Sequence, residues 1–320
     1  MKKKIMAMLL CFTMIFSMAG CAGKAKKDLK INIGSAPGPV TYPLAQMADQ
    51  NSDIILKPWQ SGEQLTSMLT SKEVQLCSTP VSNALFCYNK GLDVKMLMVT
   101  VWGMLYVMST ESEVKTLQDL KGKEVVISGK GGIHDMIFRH LLIKNNIDPE
   151  KDLKITYMDM SEASTLITAG KIKYAVLNEP QSSIASLNAK KGGIQLSRVV
   201  DLTKEWNKLS GQEGTRLPMA GIVVVNGSGI TSEQITTFEK TYIDTAKWVN
   251  NNAEAIGPIV EKHVPSMKAA AVSQSIKYSR LQPEHAKDCQ KEVTAFFKEL
   301  SETADTKVFG GKLPDAGFYY

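Results

Sequence analysis

The chain has 320 residues, 43% of them hydrophobic, with 38 basic and 32 acidic side chains and a formal net charge of +6 at pH 7. That length can bury a large core as one large or two moderate domains. So mild a basic excess gives no case for nucleic acid or for a strongly acidic partner, and four scattered His argue against a His-built metal centre.

In chain order, Lys2, Lys3 and Lys4 form a basic start, residues 5–16 an apolar run broken only by Thr13, and Ser17-Met18-Ala19-Gly20 a small-residue stretch before Cys21. Basic, apolar and small segments in that order predict a secretory signal over residues 1–20. The apolar run is too short to cross a bilayer comfortably. Cys21 in this setting resembles the cysteine of a bacterial lipobox, with Met18 where Leu is usual. The resemblance implies that Cys21 is acylated and becomes the mature N-terminus, holding the protein on the extracytoplasmic face of the cell membrane. Removing residues 1–20 takes away three Lys and no acids, so +6 becomes +3. Residues 21–28 read as a short flexible tether. Cys77, Cys87 and Cys289 remain in the body, an odd number with no CxxC or zinc spacing, and are expected as buried reduced thiols. No second long apolar run follows, so the body is expected to be soluble.

Beyond the tether, strands and helices alternate. A β-type run over 29–34 leads into the turn-rich Ser35-Ala36-Pro37-Gly38-Pro39, then a helix over 40–49. A strand at 54–57, a helix at 63–69 and a strand at 74–77 follow. Ser78-Thr79-Pro80 reads as the start of a helix running to 89, which Gly91 closes. Residues 94–108 read as one strand crossing the core. A second block has strands at 124–127, 154–158 and 174–177. Its helices cover about 134–145, 161–169 and the stretch after Pro180, and Gly-rich residues 128–132 open the first. Residues 201–217 read as polar and irregular, 219–225 as strand, and the rest after Thr231 as mainly helical. Two βαβαβα blocks predict an α/β protein with two mostly parallel sheets flanked by helices.

Several short motifs occur in a fixed order: Ser61-Gly62-Glu63-Gln64-Leu65, Ser78-Thr79-Pro80, Lys90-Gly91-Leu92-Asp93-Val94-Lys95, Asp119-Leu120-Lys121-Gly122-Lys123, Ala169-Gly170-Lys171-Ile172 and Glu179-Pro180. Together they resemble the substrate-binding proteins of ABC importers in the sulfonate, nitrate and thiamine-pyrimidine-precursor group, over roughly residues 29–275. Members of that group usually carry Asp-Ala after the Gly of the fifth motif, where this chain has Lys173-Tyr174-Ala175. The resemblance implies a type II periplasmic-binding-protein fold. Lobe one would be residues 29–108 plus 219–320, lobe two would be 109–218, and two hinge strands would join them. It also implies a small-molecule ligand held between the lobes, ABC permease and ATPase partners, no cofactor, no metal, no catalytic residue and a monomer. An enzyme on the same fold related to the fungal thiamine pyrimidine synthases would need a Cys-rich signature, which this chain lacks. An exported sensor or surface lipoprotein fits the anchor but not the ordered motifs.

In open parallel sheets the strand C-terminal ends face the crevice, and helix N-termini there present free N–H groups. That rule nominates Ser35, Pro37 and Gly38 after the first strand, and Trp59, Gln60 and Ser61 after the second. Trp59 either stacks on a planar ligand or packs on its own lobe. Ser78 and Thr79 either meet the ligand or simply cap a helix. Trp102 lies in the crossing segment, facing cleft or core. In the second block Gly131 and Gly132 let the backbone come close to a ligand, and His134 reads as a solvated first-turn residue or a cleft one. Glu179 precedes a helix start and is a candidate acceptor for a ligand N–H or O–H.

Overall fold

The computed structural model describes residues 30–209 and 216–320. The leader, Cys21 and the tether lie outside the described residues.

The strands are β1 Ile31–Ser35, β2 Ile54–Pro58, β3 Leu76–Pro80, β4 Val94–Val101, β5 Leu105–Ser109, β6 Glu124–Ile127, β7 Lys154–Tyr157, β8 Tyr174–Asn178, β9 Ser197–Asp201, β10 Ala220–Val225 and β11 Leu281–His285. The helices are α1 Thr41–Gln50, α2 Gly62–Thr70, α3 Val81–Asn89, α4 Ile133–Lys144, α5 Met160–Thr168, α6 Gln181–Lys191, α7 Leu202–Leu209, α8 Ser232–Asn251, α9 Ala253–His263, α10 Ala269–Ser275 and α11 Gln290–Ser301.

They build two lobes around two sheets. The first sheet has the order β11-β4-β10-β3-β1-β2 and the second β7-β6-β8-β5-β9. Both sheets are mixed rather than mostly parallel. β2, β1 and β3 run parallel, while β10 is antiparallel to β3 and β4, and β11 to β4. In the second sheet β7, β6 and β8 run parallel, and β5 is antiparallel to β8 and β9. Strands buried on both faces carry near-continuous apolar runs, as in β4 and β10, and helices cover both sheets. Local signals set the ends of several helices. Thr231 and Gln234 form a reciprocal capping box at the start of α8, and Asp159 caps α5.

Four expectations need correction. The run over 94–108 is not one strand. It breaks at residues 102–104 and enters the second sheet at Leu105, so the passage between lobes falls before the expected boundary at 108. Gly103 sits there with φ of 142°, and an added Cβ would collide with the Thr203 and Arg280 side chains. Only Gly fits at that point. Ser78 and Thr79 belong to β3, and α3 begins after Pro80 without a side-chain cap. The stretch read as irregular contains β9 at its edge and α7. The helical C-terminal stretch also contains β11, which completes the first sheet.

Candidate functional site

Parallel pairing sets the carboxyl ends of the first strands level, with Ser35 opposite Pro58 and Gly34 opposite Cys77. Hydroxyls and amides converge there. The Ser35 and Thr41 hydroxyl oxygens lie 3.0 Å apart, and Thr41 donates onward to the Ala36 carbonyl at 2.5 Å, which leaves Ser35 as donor to Thr41. The Ala36 N–H donates to Ser78 Oγ at 2.9 Å. Trp59 is bound to the same wall twice, its backbone N–H donating to the Ser35 carbonyl and its indole N–H to the Ser78 carbonyl, each at 3.1 Å. Only 7% of Trp59 is exposed. Its ring is therefore part of the wall rather than a free stacking face.

Thr79 differs from its neighbours. It is fully buried, yet its Oγ1 has no hydrogen-bond partner. Leaving such a group unpaired costs about 1–3 kcal/mol, so an orphan at a strand end calls for a missing partner. Nearby, Gly38 is buried with open space where a Cβ would lie, whereas Pro37 is exposed. Gln60 is exposed, and Ser61 caps α2 by accepting the Gln64 N–H at 3.2 Å.

The end of β8 supplies the wall of the second lobe. The Glu179 carboxylate is buried and fully engaged. It accepts from Arg198 Nε at 2.8 Å, from the Ser183 hydroxyl at 2.7 Å and from the Ser183 N–H at 3.2 Å. Burial pushes its pKa above the usual carboxylate range, against the pull of Arg198 and then of Ser183. The free acceptor expected at Glu179 is therefore half of a buried ion pair. Across the lobe boundary, the Tyr42 hydroxyl at the start of α1 lies 2.7 Å from Ser275 Oγ. Its pKa is pushed up by burial, against the pull of the Ser275 hydrogen bond, with a smaller upward push from the charge on Glu179.

The Gly-rich loop before α4 turns through Gly129 and Gly131, with φ of 67° and 73°. Two of its N–H groups are used internally: Gly131 donates to Asp135 Oδ2 at 2.8 Å and Gly132 to the Gly129 carbonyl at 2.7 Å. His134 is half-buried rather than solvated, and burial pushes its pKa down to about 4. Trp102 lies at the lobe passage. It is fully buried, donates to the Gln282 carbonyl at 2.8 Å and is covered by the Arg216 guanidinium 3.7 Å from its ring centre. Cys77, Cys87 and Cys289 are free and buried. Burial pushes the Cys87 thiol up to about 11 and that of Cys289 to about 12, which makes both poor nucleophiles. Among the described residues no group of His, Cys, Asp and Glu is arranged to hold a metal ion.

The structure thus brings Ser35, Trp59, Ser78 and Thr79 to the carboxyl edge of the first sheet, puts Glu179 after β8 of the second sheet, and puts Trp102 and Ser61 in structural roles. Thr41, Ser183 and Arg198 escape sequence reasoning. Thr41 is hidden as a helix-start residue and Ser183 inside α6. Arg198 stands alone in a β-type run, Ser197-Arg198-Val199-Val200, where a charge on a half-buried strand needs a partner.

Two mixed sheets flanked by helices, joined by two passages and meeting at such walls, define a two-lobe type II periplasmic-binding-protein fold. Residues 48–204, a segment that includes α2, β3, Glu179 and Arg198, match the family model described as NMT1/THI5 like. Solved structures agree on the fold. An ABC transporter from Parabacteroides distasonis is 22% identical with a TM-score of 0.75, over 92% of this chain and 99% of that one. The periplasmic aliphatic sulphonate binding protein SsuA from Escherichia coli is 15% identical with a TM-score of 0.68, over 91% of each chain. The periplasmic nitrate-binding protein NrtA from Synechocystis PCC 6803 is 12% identical with a TM-score of 0.60, over 90% of this chain and 86% of that one. By sequence, the chain is 26% identical over 172 residues to YtlA of Bacillus subtilis (strain 168), named as a candidate binding protein. That match covers 53% of this chain and spans about half, 48%, of the relative's length.

Proposed function

We propose that the protein is an extracytoplasmic solute-binding protein that captures a small polar organic ligand between its lobes. It works as a monomer and delivers the ligand to the permease and ATPase of an ABC importer. It is held at the cell membrane by acyl chains on Cys21 and has no catalytic role. Lobe one corresponds to residues 30–101 plus 220–320 and lobe two to 105–201. The observation that carries the reading is the orphan Thr79 hydroxyl. It is buried at the strand end where two-lobe folds of this type close, and it lacks a partner that a ligand can supply. The fold likeness to binding proteins, the NMT1/THI5-like segment and the lipobox-like Cys21 all support it.

Two measurements test this. A thermal-shift screen of sulfonates, inorganic oxyanions and heterocyclic amines should raise the midpoint for one class, since binding the native state stabilises it by mass action. No shift from any class at millimolar concentrations counts against capture. Cys21→Ala should release the protein from the membrane fraction, and a variant that still sediments with membranes removes the anchor from the account.

A further inference from the structure

The two covalent passages between the lobes are not their only connection. Residues 276–280 leave lobe one at the end of α10 and lie against lobe two before the chain returns as β11. Tyr106 on β5 donates its hydroxyl to the Tyr278 carbonyl at 2.7 Å, and the two rings meet edge to face at 6.0 Å. The Arg198 guanidinium on β9 lies 3.6 Å from the centre of the Tyr278 ring. Two residues on, Arg280 donates to Asp201 at the end of β9 at 2.6 Å, while its carbonyl accepts the Trp102 N–H at 3.1 Å. Arg280 holds a left-handed backbone, with φ of 40°. A residue other than Gly in that region persists only when its surroundings over-determine it, and here those surroundings come from the other lobe and from the passage.

We propose that residues 278–280 form a non-covalent tie between the lobes beside the hinge passages, and that Arg198 fastens this tie to the end of β8. The guanidinium is gripped on one side by Glu179 and Ser183 and stacked on the other against Tyr278. Arg198 thus couples the Glu179 carboxylate at the end of β8 to the ring of Tyr278, so a change in the Glu179–Arg198 pair shifts the plane of Arg198 and with it the seat of Tyr278. Only a planar guanidinium can do both jobs at once, because an ammonium offers no flat face to stack and no fork for the carboxylate. Arg198 and Tyr278 are thus positioning residues. They set the lobe angle at which the Thr79 and Glu179 walls meet. The tie is a property of the ligand-free protein and stands apart from the solute-binding reading.

The test uses the full chain without ligand, so its outcome does not depend on that reading. Spin labels on Glu63→Cys of lobe one and Glu162→Cys of lobe two, both exposed, report the lobe separation by pulsed dipolar spectroscopy. The expected result is one narrow distance in the parent. Tyr278→Leu, which keeps bulk but removes the ring, and Arg198→Lys, which keeps the charge for Glu179 but removes the plane, should each give a longer and broader distribution. The double variant should match either single one, because both break the same contact. Parent-like distributions in the single variants overturn the tie, as does additive broadening in the double variant. If Tyr278→Leu fails to fold, Arg198→Lys decides alone: a parent-like distance overturns the tie and a broadened one supports it.

Discussion

The two walls of the cleft use opposite chemistry. On lobe one the polar groups are neutral hydroxyls and amides, chained to one another through Ser35, Thr41, Ala36 and Ser78, with one hydroxyl, that of Thr79, left over. On lobe two the polar groups are charged, and the Glu179 carboxylate is filled by Arg198 and Ser183. In the proposed reading, capacity for a ligand lies with the neutral wall, while the charged wall is a fixture whose disturbance costs stability first. A buried ion pair is expensive to break, because the survivor is an uncompensated charge in a dry site. A buried hydroxyl is cheap to remove, above all one that has no partner.

This contrast can be broken most forcefully at Arg198. Arg198→Ala strands the Glu179 carboxylate, and the expected loss of stability is about 3–5 kcal/mol in chemical denaturation. Replacing Arg198 and Glu179 together by Leu should recover much of it. If the double replacement is as unstable as Arg198→Ala, the pair is not what the lobe depends on. Trp59→Ala should cost a comparable ~3–5 kcal/mol, since it empties a buried site and cuts the indole bond to the Ser78 carbonyl. A Trp59→Ala variant that keeps parental stability while binding less tightly would restore the stacking role that its position after β2 suggests.

A smaller effect follows from His134. Its pKa is about 4 in the folded chain against 6.5 for the free side chain, with burial as the cause. Between those values the unfolded chain binds the proton and the folded one does not. The His134 contribution is thus intact above about pH 6.5, declines as pH falls and levels off below about 4, a loss of at most ~3 kcal/mol. Subtracting the stability–pH curve of His134→Asn from that of the parent should isolate this slope. Two parallel curves would show that His134 titrates as it does in water.

The readable and unreadable parts of the chain separate along physical lines. The alternation of strands and helices in both blocks, the strand at 219–225 and the convergence of strand ends were legible because apolar period and turn chemistry are local. The break at residues 102–104 was not, since Gly103 owes its place to contacts with Thr203 and Arg280, far along the chain. β11 was hidden because Leu281–His285 includes Pro283 and two charged or titratable side chains, which an edge strand tolerates and a local pattern penalises. Glu179 was nominated from its place before Pro180. Its filling by Arg198, nineteen positions on, depends on how β8 and β9 flank β5. Ser78 and Thr79 looked like caps because Ser-Thr-Pro usually opens a helix. Only pairing of β3 with β10 makes them strand.

The smallest stability change is expected at Thr79, on which the proposed binding site rests. Thr79→Val keeps the shape and deletes a hydroxyl that no protein group uses, so stability should stay within about 1 kcal/mol of the parent or rise. The most direct test of the central claim is calorimetric titration of the parent and Thr79→Val with the ligand class identified in the thermal-shift screen. The account predicts an unchanged unfolding midpoint without ligand and an affinity at least tenfold weaker, about 1.4 kcal/mol or more. An affinity equal to that of the parent would mean that the Thr79 wall is not where the ligand sits.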